Sequence, residues 1–285
     1  MDAGSTWSTP LALAVVLVAL GSYLAGYLRL RARGAQLSRR RWSRRLAAWA
    51  IACGLTAATL LPPLSRFAME SLPWHMAVHV LLMFFVPLLA VLGAPRVPLQ
   101  LALPVERRRG VLRAASRWRA SSASRALRRA LRPGWLPVVA LIAVMGFWHL
   151  PGPYGWAASR MWAHQLVMAP SFILSGWAFW RLLVAAHPRP ARATPAGQIL
   201  AVVAVAASML FLAVAMGVAS SQPWYDMDVA MQGAPAALSA QRRAAGILWV
   251  CGDLWAVPAI AVLGWRLASG GEVSSWLERR LGREA

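Results

Sequence analysis

The chain has 285 residues, 59% of them hydrophobic, and 30 basic residues against 9 acidic ones leave a formal charge of +21. Long apolar runs alternating with arginine clusters exclude a soluble domain and call for an all-α polytopic membrane protein. The positive charge lies in blocks between apolar runs rather than on one soluble face, which argues against nucleic-acid binding despite a pI near 11.9.

Seven segments, at residues 10–28, 46–63, 74–92, 134–150, 161–184, 197–218 and 244–266, approach the roughly 20 residues that cross ~30 Å of hydrocarbon as a helix. No positive region precedes the first, so it is expected to stay as a span rather than be removed as a signal peptide. Basic loop 29–45 carries eight arginines and basic loop 93–133 carries eleven. Arg189 and Arg192 follow the fifth span, and Arg279, Arg280 and Arg283 follow the seventh. The alternate side holds only Arg66, Arg160, Arg242 and Arg243. Arginine-rich short loops stay cytoplasmic, so a seven-transmembrane helix bundle is expected with its N-terminus outside and its C-terminus cytoplasmic.

Within the second basic loop, residues 105–132 read either as a basic amphipathic helix on anionic lipid or as a disordered tether. No internal repeat suggests a second domain, and residues 1–285 are read as a single membrane domain. Cys53 and Cys251 lie inside apolar runs, which makes a disulfide framework improbable.

The third span opens with two histidines, His75 and His79, one helical turn apart on one face and separated by a rise of ~6 Å. The fourth span ascends to GFWHLPGPYGW, which puts His149 at the outer boundary, and the fifth descends through His164 one turn below the same surface. Four of the five histidines therefore gather in the outer layer, while His187 falls on the cytoplasmic side. Imidazole suits copper, zinc, iron and nickel, and thioether sulfur shifts the preference toward copper(I). Met76, Met83, Met161 and Met168 stand near these histidines as auxiliary metal ligands, although methionine is also a common packing residue. Polar contacts between helices are the alternative account of the histidines.

Asp253, in the last span, is expected to be buried near mid-membrane as a polar partner, protonated or paired. The outer stretch SSQPWYDMDVAMQG carries Asp226, Met227, Asp228 and Met231; it is read as a solvated loop, with cation recruitment as the alternative. Trp74, Trp148, Trp156, Trp162 and Trp224 fall near one outer plane, as an interfacial aromatic belt does. Phosphate-binding loops, dinucleotide fingerprints and HExxH or CxxC motifs are absent, so no enzyme chemistry is indicated.

Four stretches carry a resemblance: HMAVHVLLMFFVPLLAVLGAP (75–95), FWHLPGPYGW (147–156), the His164 helix ending SGWAFWRLL, and QRRAAGILWVCGDL (241–254). Over roughly residues 45 to 265 the chain resembles the seven-span cytochrome c oxidase assembly factors of the caa3 type. That resemblance implies a non-catalytic role in maturing a haem-copper oxidase in the bacterial inner membrane, as a metallochaperone for the respiratory chain. It implies copper delivery near the periplasmic face, with His75, His79, His149 and His164 as the positions of the copper site. The oxidase subunit receiving copper and a periplasmic copper chaperone are the implied partners. One position departs from the family pattern, because Ala240 precedes Gln241 where an acidic residue is usual.

Copper(I) accepts two or three ligands, so His75 and His79 with His164 or His149 would suffice. Two other classes stay open. Paired histidines on neighbouring helices also ligate haem in membrane oxidoreductases. A purely structural assembly partner would need no metal at all.

Overall fold

The computed structural model describes residues 7–32, 39–125, 134–184 and 194–268. His187, Arg189, Arg192, Arg279, Arg280 and Arg283 lie outside them. Among the described residues the regular structure is entirely helical, as a chain that must satisfy its backbone polar groups in lipid requires.

Helix α1 (Ser8–Ala32) packs on α2 (Arg39–Leu60) and on the short α5 (Arg96–Ala102). Gly26 makes the second contact: a Cβ there would overlap the Pro98 carbonyl. Tyr23 stacks on Trp49 with ring centroids 5.5 Å apart and donates its hydroxyl to the Gly93 carbonyl at 2.7 Å. Tyr23, Tyr27 and Trp42 thus form a small core of their own at the basic end of α1.

Helix α2 ends at Leu61-Pro62-Pro63, where prolines lacking an amide hydrogen cannot continue it, and α3 (Leu64–Glu70) leaves at 50°. Helix α4 (Leu72–Leu92) follows and is the most deeply buried of the long helices. Helix α6 (Val105–Ala120) carries much of the basic segment and has no buried residue. Helix α7 (Leu136–His149) breaks before Pro151, and α8 (Pro151–Ala158) turns away by 72°.

Helix α9 (Met161–Leu183) packs on α4 and α7, while α10 (Pro195–Val214, extended by the π-helical turn Ala215–Ala219) lies along α12 (Ala234–Ala268). Between them, α11 (Asp226–Gln232) is a short helix ahead of α12.

Five of these helices are long and apolar enough to cross a membrane, and counting each bent pair as one span raises the number to seven. The protein is a multi-pass helical membrane bundle. Its basic segment 29–45 is not simply a loop, since Arg29 and Arg31 end α1 while Arg39 already belongs to α2. The last helix begins at Ala234, ten residues before the apolar run that marks it in the sequence.

Two local irregularities position the histidines. A π-helical turn, Leu81–Phe85, follows His79 in α4, and another, His164–Met168, starts at His164 in α9. Such turns widen the helix and are frequent at functional sites. Here α9 fits the first of them closely: a Cβ at Gly176 would overlap the Met83 carbonyl, and the Trp180 indole donates to the Phe84 carbonyl at 2.8 Å. The SGWAFW stretch therefore supplies both the close approach and the donor.

Candidate metal centre

His75 and His79 share one face of α4, and their rings lie edge to face with centroids 4.3 Å apart. His164 comes in from α9, with its ring centroid 5.1 Å from that of His75 and 6.0 Å from that of His79. One ligand nitrogen from each of these three rings can be chosen so that all lie within 4.8 Å of one another. His149, at the end of α7, approaches His79 with centroids 5.8 Å apart.

Two of the four rings are oriented by backbone carbonyls. The His75 Nδ1–H donates to Ala68 O at 3.1 Å, and the His149 Nδ1–H donates to Met145 O at 2.6 Å. A carbonyl only accepts, so each bond assigns the proton to Nδ1 and leaves the Nε2 lone pair outward, as a metal-binding imidazole requires.

These rings are removed from water. His79 and His149 are each 1% exposed and His75 is 8% exposed. Yet His75 Nε2, both nitrogens of His79, His149 Nε2 and His164 Nε2 are buried with no hydrogen-bond partner among the described residues. Leaving a buried polar group unmatched costs about 1–3 kcal/mol. Contacts among the described residues do not pair these atoms with one another or with the backbone.

A family model described as the cytochrome c oxidase caa3 assembly factor matches residues 21–269, which include every histidine of this cluster. The chain belongs to that family. Its role is therefore in assembling cytochrome c oxidase, and it is not an enzyme. No curated protein and no solved structure shows a significant match to the assembly factor.

The methionines of the assembly factor divide. Met76, Met83 and Met168 are fully buried members of the main apolar core. Met161 instead lines a cavity of about 180 Å³ that opens beside His75 and His164. Tyr154 borders the same cavity, its ring 5.4 Å from His75 and 4.0 Å from Tyr225 between centroids. Tyr225 in turn donates its hydroxyl to the His149 carbonyl at 3.0 Å.

Next to His164, Gln165 accepts from Ser8 at 2.8 Å and donates to Thr9 at the same distance. The start of α1 and the histidine cluster therefore lie on one side of the bundle.

Two acidic residues sit differently from their sequence expectations. Asp228 is not part of a solvated loop: it belongs to α11, is 6% exposed, and lines the cavity with Oδ2 unpartnered. Burial raises its carboxyl above the ordinary range. Asp253 is not a buried partner, since its side chain is exposed on the outer face of α12 beside Trp249 and Val257. The inward face of that helix is taken by residues such as Leu248 and Trp255.

The expected tryptophan belt also splits: Trp74, Trp156 and Trp162 are exposed, but Trp148 is buried and donates to Ser171 at 2.8 Å. Ala240 is packed in the core, while Gln241 beside it accepts from Trp224 N and donates to Met216 O.

Sequence reasoning did not single out Gln165, Tyr154 or Tyr225. A glutamine next to a histidine and aromatic residues in interfacial motifs have no local signal that separates them from packing.

Proposed function

We propose that this protein carries copper(I) as cargo at His75, His79 and His164, with His149 in reach as an exchange ligand, and passes it to a haem-copper oxidase subunit. The observation that carries this reading is the set of five buried imidazole nitrogens without partners. A metal ion takes one lone pair from each ring it binds, the second nitrogen of His79 keeping its proton, whereas water needs two to four polar partners of its own.

The geometry suits a soft ion with low coordination number. Metal–imidazole bonds of about 2.0–2.1 Å bring two ligand nitrogens to within about 4 Å of each other. The observed limit of 4.8 Å is then closed by small rotations about the side-chain torsions. Three neutral imidazoles leave the bound ion with its single positive charge, and ligand exchange through His149 moves it without a redox step.

The haem alternative finds little room. A cavity of about 180 Å³ is below the roughly 300 Å³ at which small-molecule pockets begin, and the His79 and His164 ring centroids are only 6.0 Å apart.

The orientation proposed from the arginines puts seven spans across the bacterial inner membrane with the N-terminus and the histidine cluster at the periplasmic side. In that orientation the donor is a periplasmic copper chaperone, the acceptor is the oxidase, and α6 rests on anionic lipid of the cytoplasmic leaflet.

The test is metal content and visible spectrum of the detergent-purified protein before and after anaerobic copper(I) addition. Parent protein is expected to retain copper with no haem band, and His79→Ala to fall below the parent's copper stoichiometry while keeping its fold by circular dichroism. A folded His79→Ala protein that binds as the parent does would remove His79 from the site, and a strong haem band would replace the reading with electron transfer.

A further inference from the structure

The cavity beside His75 and His164 contains more chemistry than a copper centre alone requires. Its lining includes four thioethers from three separate elements: Met69 of α3, Met161 of α9, and Met227 and Met231 of α11. It includes a single acidic side chain, Asp228.

The two methionines of α11 are four residues apart, and Asp228 is three before Met231, so all three project toward one side of that short helix. The methionines stand at the open side and the other ligands are buried. Met231 is 58% exposed, Met69 52% and Met227 39%, whereas Asp228 is 6% and His75 8% exposed, and Asp228 Oδ2 has no partner among the described residues.

We propose that Asp228, Met227 and Met231, together with Met161 and Met69, form an entry site that captures a copper(I) ion at the surface and hands it to His164 and His75. This inference rests on the histidine reading for its destination. Thioethers favour a soft monovalent ion over the hard divalent cations of the same compartment. The carboxylate supplies the negative charge that draws a cation into a low-dielectric cleft, and it offsets the charge of the ion when the neutral imidazoles take over. Transfer is ligand exchange: each sulfur or oxygen bond that breaks is replaced by a bond to imidazole nitrogen, and the metal stays copper(I) throughout.

The experiment uses the full-length protein in detergent under anaerobic conditions, with copper(I) supplied as its acetonitrile complex and loading quenched by a copper(I) chelator after set times. Asp228→Asn and the double variant Met227→Leu/Met231→Leu conserve size. Each is expected to reach the parent's final occupancy, but more slowly, by roughly 10-fold for the loss of the charge. Unchanged loading rates in both variants would overturn the entry site and leave the histidine centre standing.

A second measurement separates the two readings. Copper X-ray absorption on His79→Ala/His164→Ala protein loaded anaerobically with copper(I) is expected to show sulfur scattering that disappears when all four thioethers are replaced, as Met69→Leu/Met161→Leu/Met227→Leu/Met231→Leu. Sulfur scattering that persists in that combined variant, or that is absent from the start, would overturn the assignment whatever the histidines bind.

Discussion

The Asp228 carboxyl lies in a cavity wall with its Oδ2 buried and unpartnered among the described residues, and burial raises its pKa above the ordinary value. The native state therefore holds the proton more tightly than the unfolded chain does. Its contribution to stability is full below the ordinary carboxylate range and is lost as pH rises through the raised value. Asp228→Asn does not titrate. Metal-free variant and parent are expected to have matching Tm near about pH 3, and the variant a higher Tm near about pH 7.5. Equal Tm values at both pH values would show that the carboxylate finds a partner in solution. A second residue-level expectation concerns Tyr225, whose hydroxyl binds the carbonyl of His149. Tyr225→Phe should lower stability by about 1 kcal/mol and leave copper stoichiometry unchanged, measured by thermal unfolding and metal analysis. That the four histidine rings lie together was legible in the sequence, because each stands near the same end of successive alternating spans. Asp228 was not, since a seven-residue helix has too few turns to show a face, and only α11's packing against α8 and α12 reveals where its side chain goes.

At the scale of the helix, the arrangement depends on the two π-helical turns that flank the histidines. The turn at Leu81–Phe85 leaves the Phe84 carbonyl to be capped by Trp180, and Gly176 lets α9 approach Met83. Trp180→Phe keeps the ring but removes the donor, and it is expected to cost about 1–3 kcal/mol for an unmatched buried carbonyl. Gly176→Val is expected to be more severe, because the clash is with backbone that cannot rotate away. Both are read from thermal unfolding in detergent, and a neutral Gly176→Val would mean that the helices are not in contact there. Hydropathy reveals the long helices and prolines reveal the breaks at Pro62 and Pro151, since both act locally. The π turns leave no such mark, because they are set by the fit of α9 against α4. Asp253 illustrates the same limit: apolar residues surround it all along α12, and only the neighbours of that helix distinguish the inward face from the outward one.

For the whole molecule, the distribution of arginine makes a directional prediction. In the proposed orientation Met231 faces the periplasm and Arg113 the cytoplasm. Met231→Cys is expected to react with a membrane-impermeant maleimide in intact spheroplasts, and Arg113→Cys only after permeabilisation. The native thiols give little background, since Cys53 is buried and Cys251 partly so. The reverse labelling pattern would move the histidine cluster to the cytoplasmic side and with it the donor of the metal.

The hydrogen bonds from Ser8 and Thr9 to Gln165 have a practical side for anyone handling this protein. They tie the first turn of the chain's first helix to the residue next to His164. A bulky fusion or a surface tether attached at the amino end would load that link mechanically, and the strain would arrive one residue from an imidazole. Preparations tagged there are thus expected to hold metal less tightly than those tagged in the exposed basic helix.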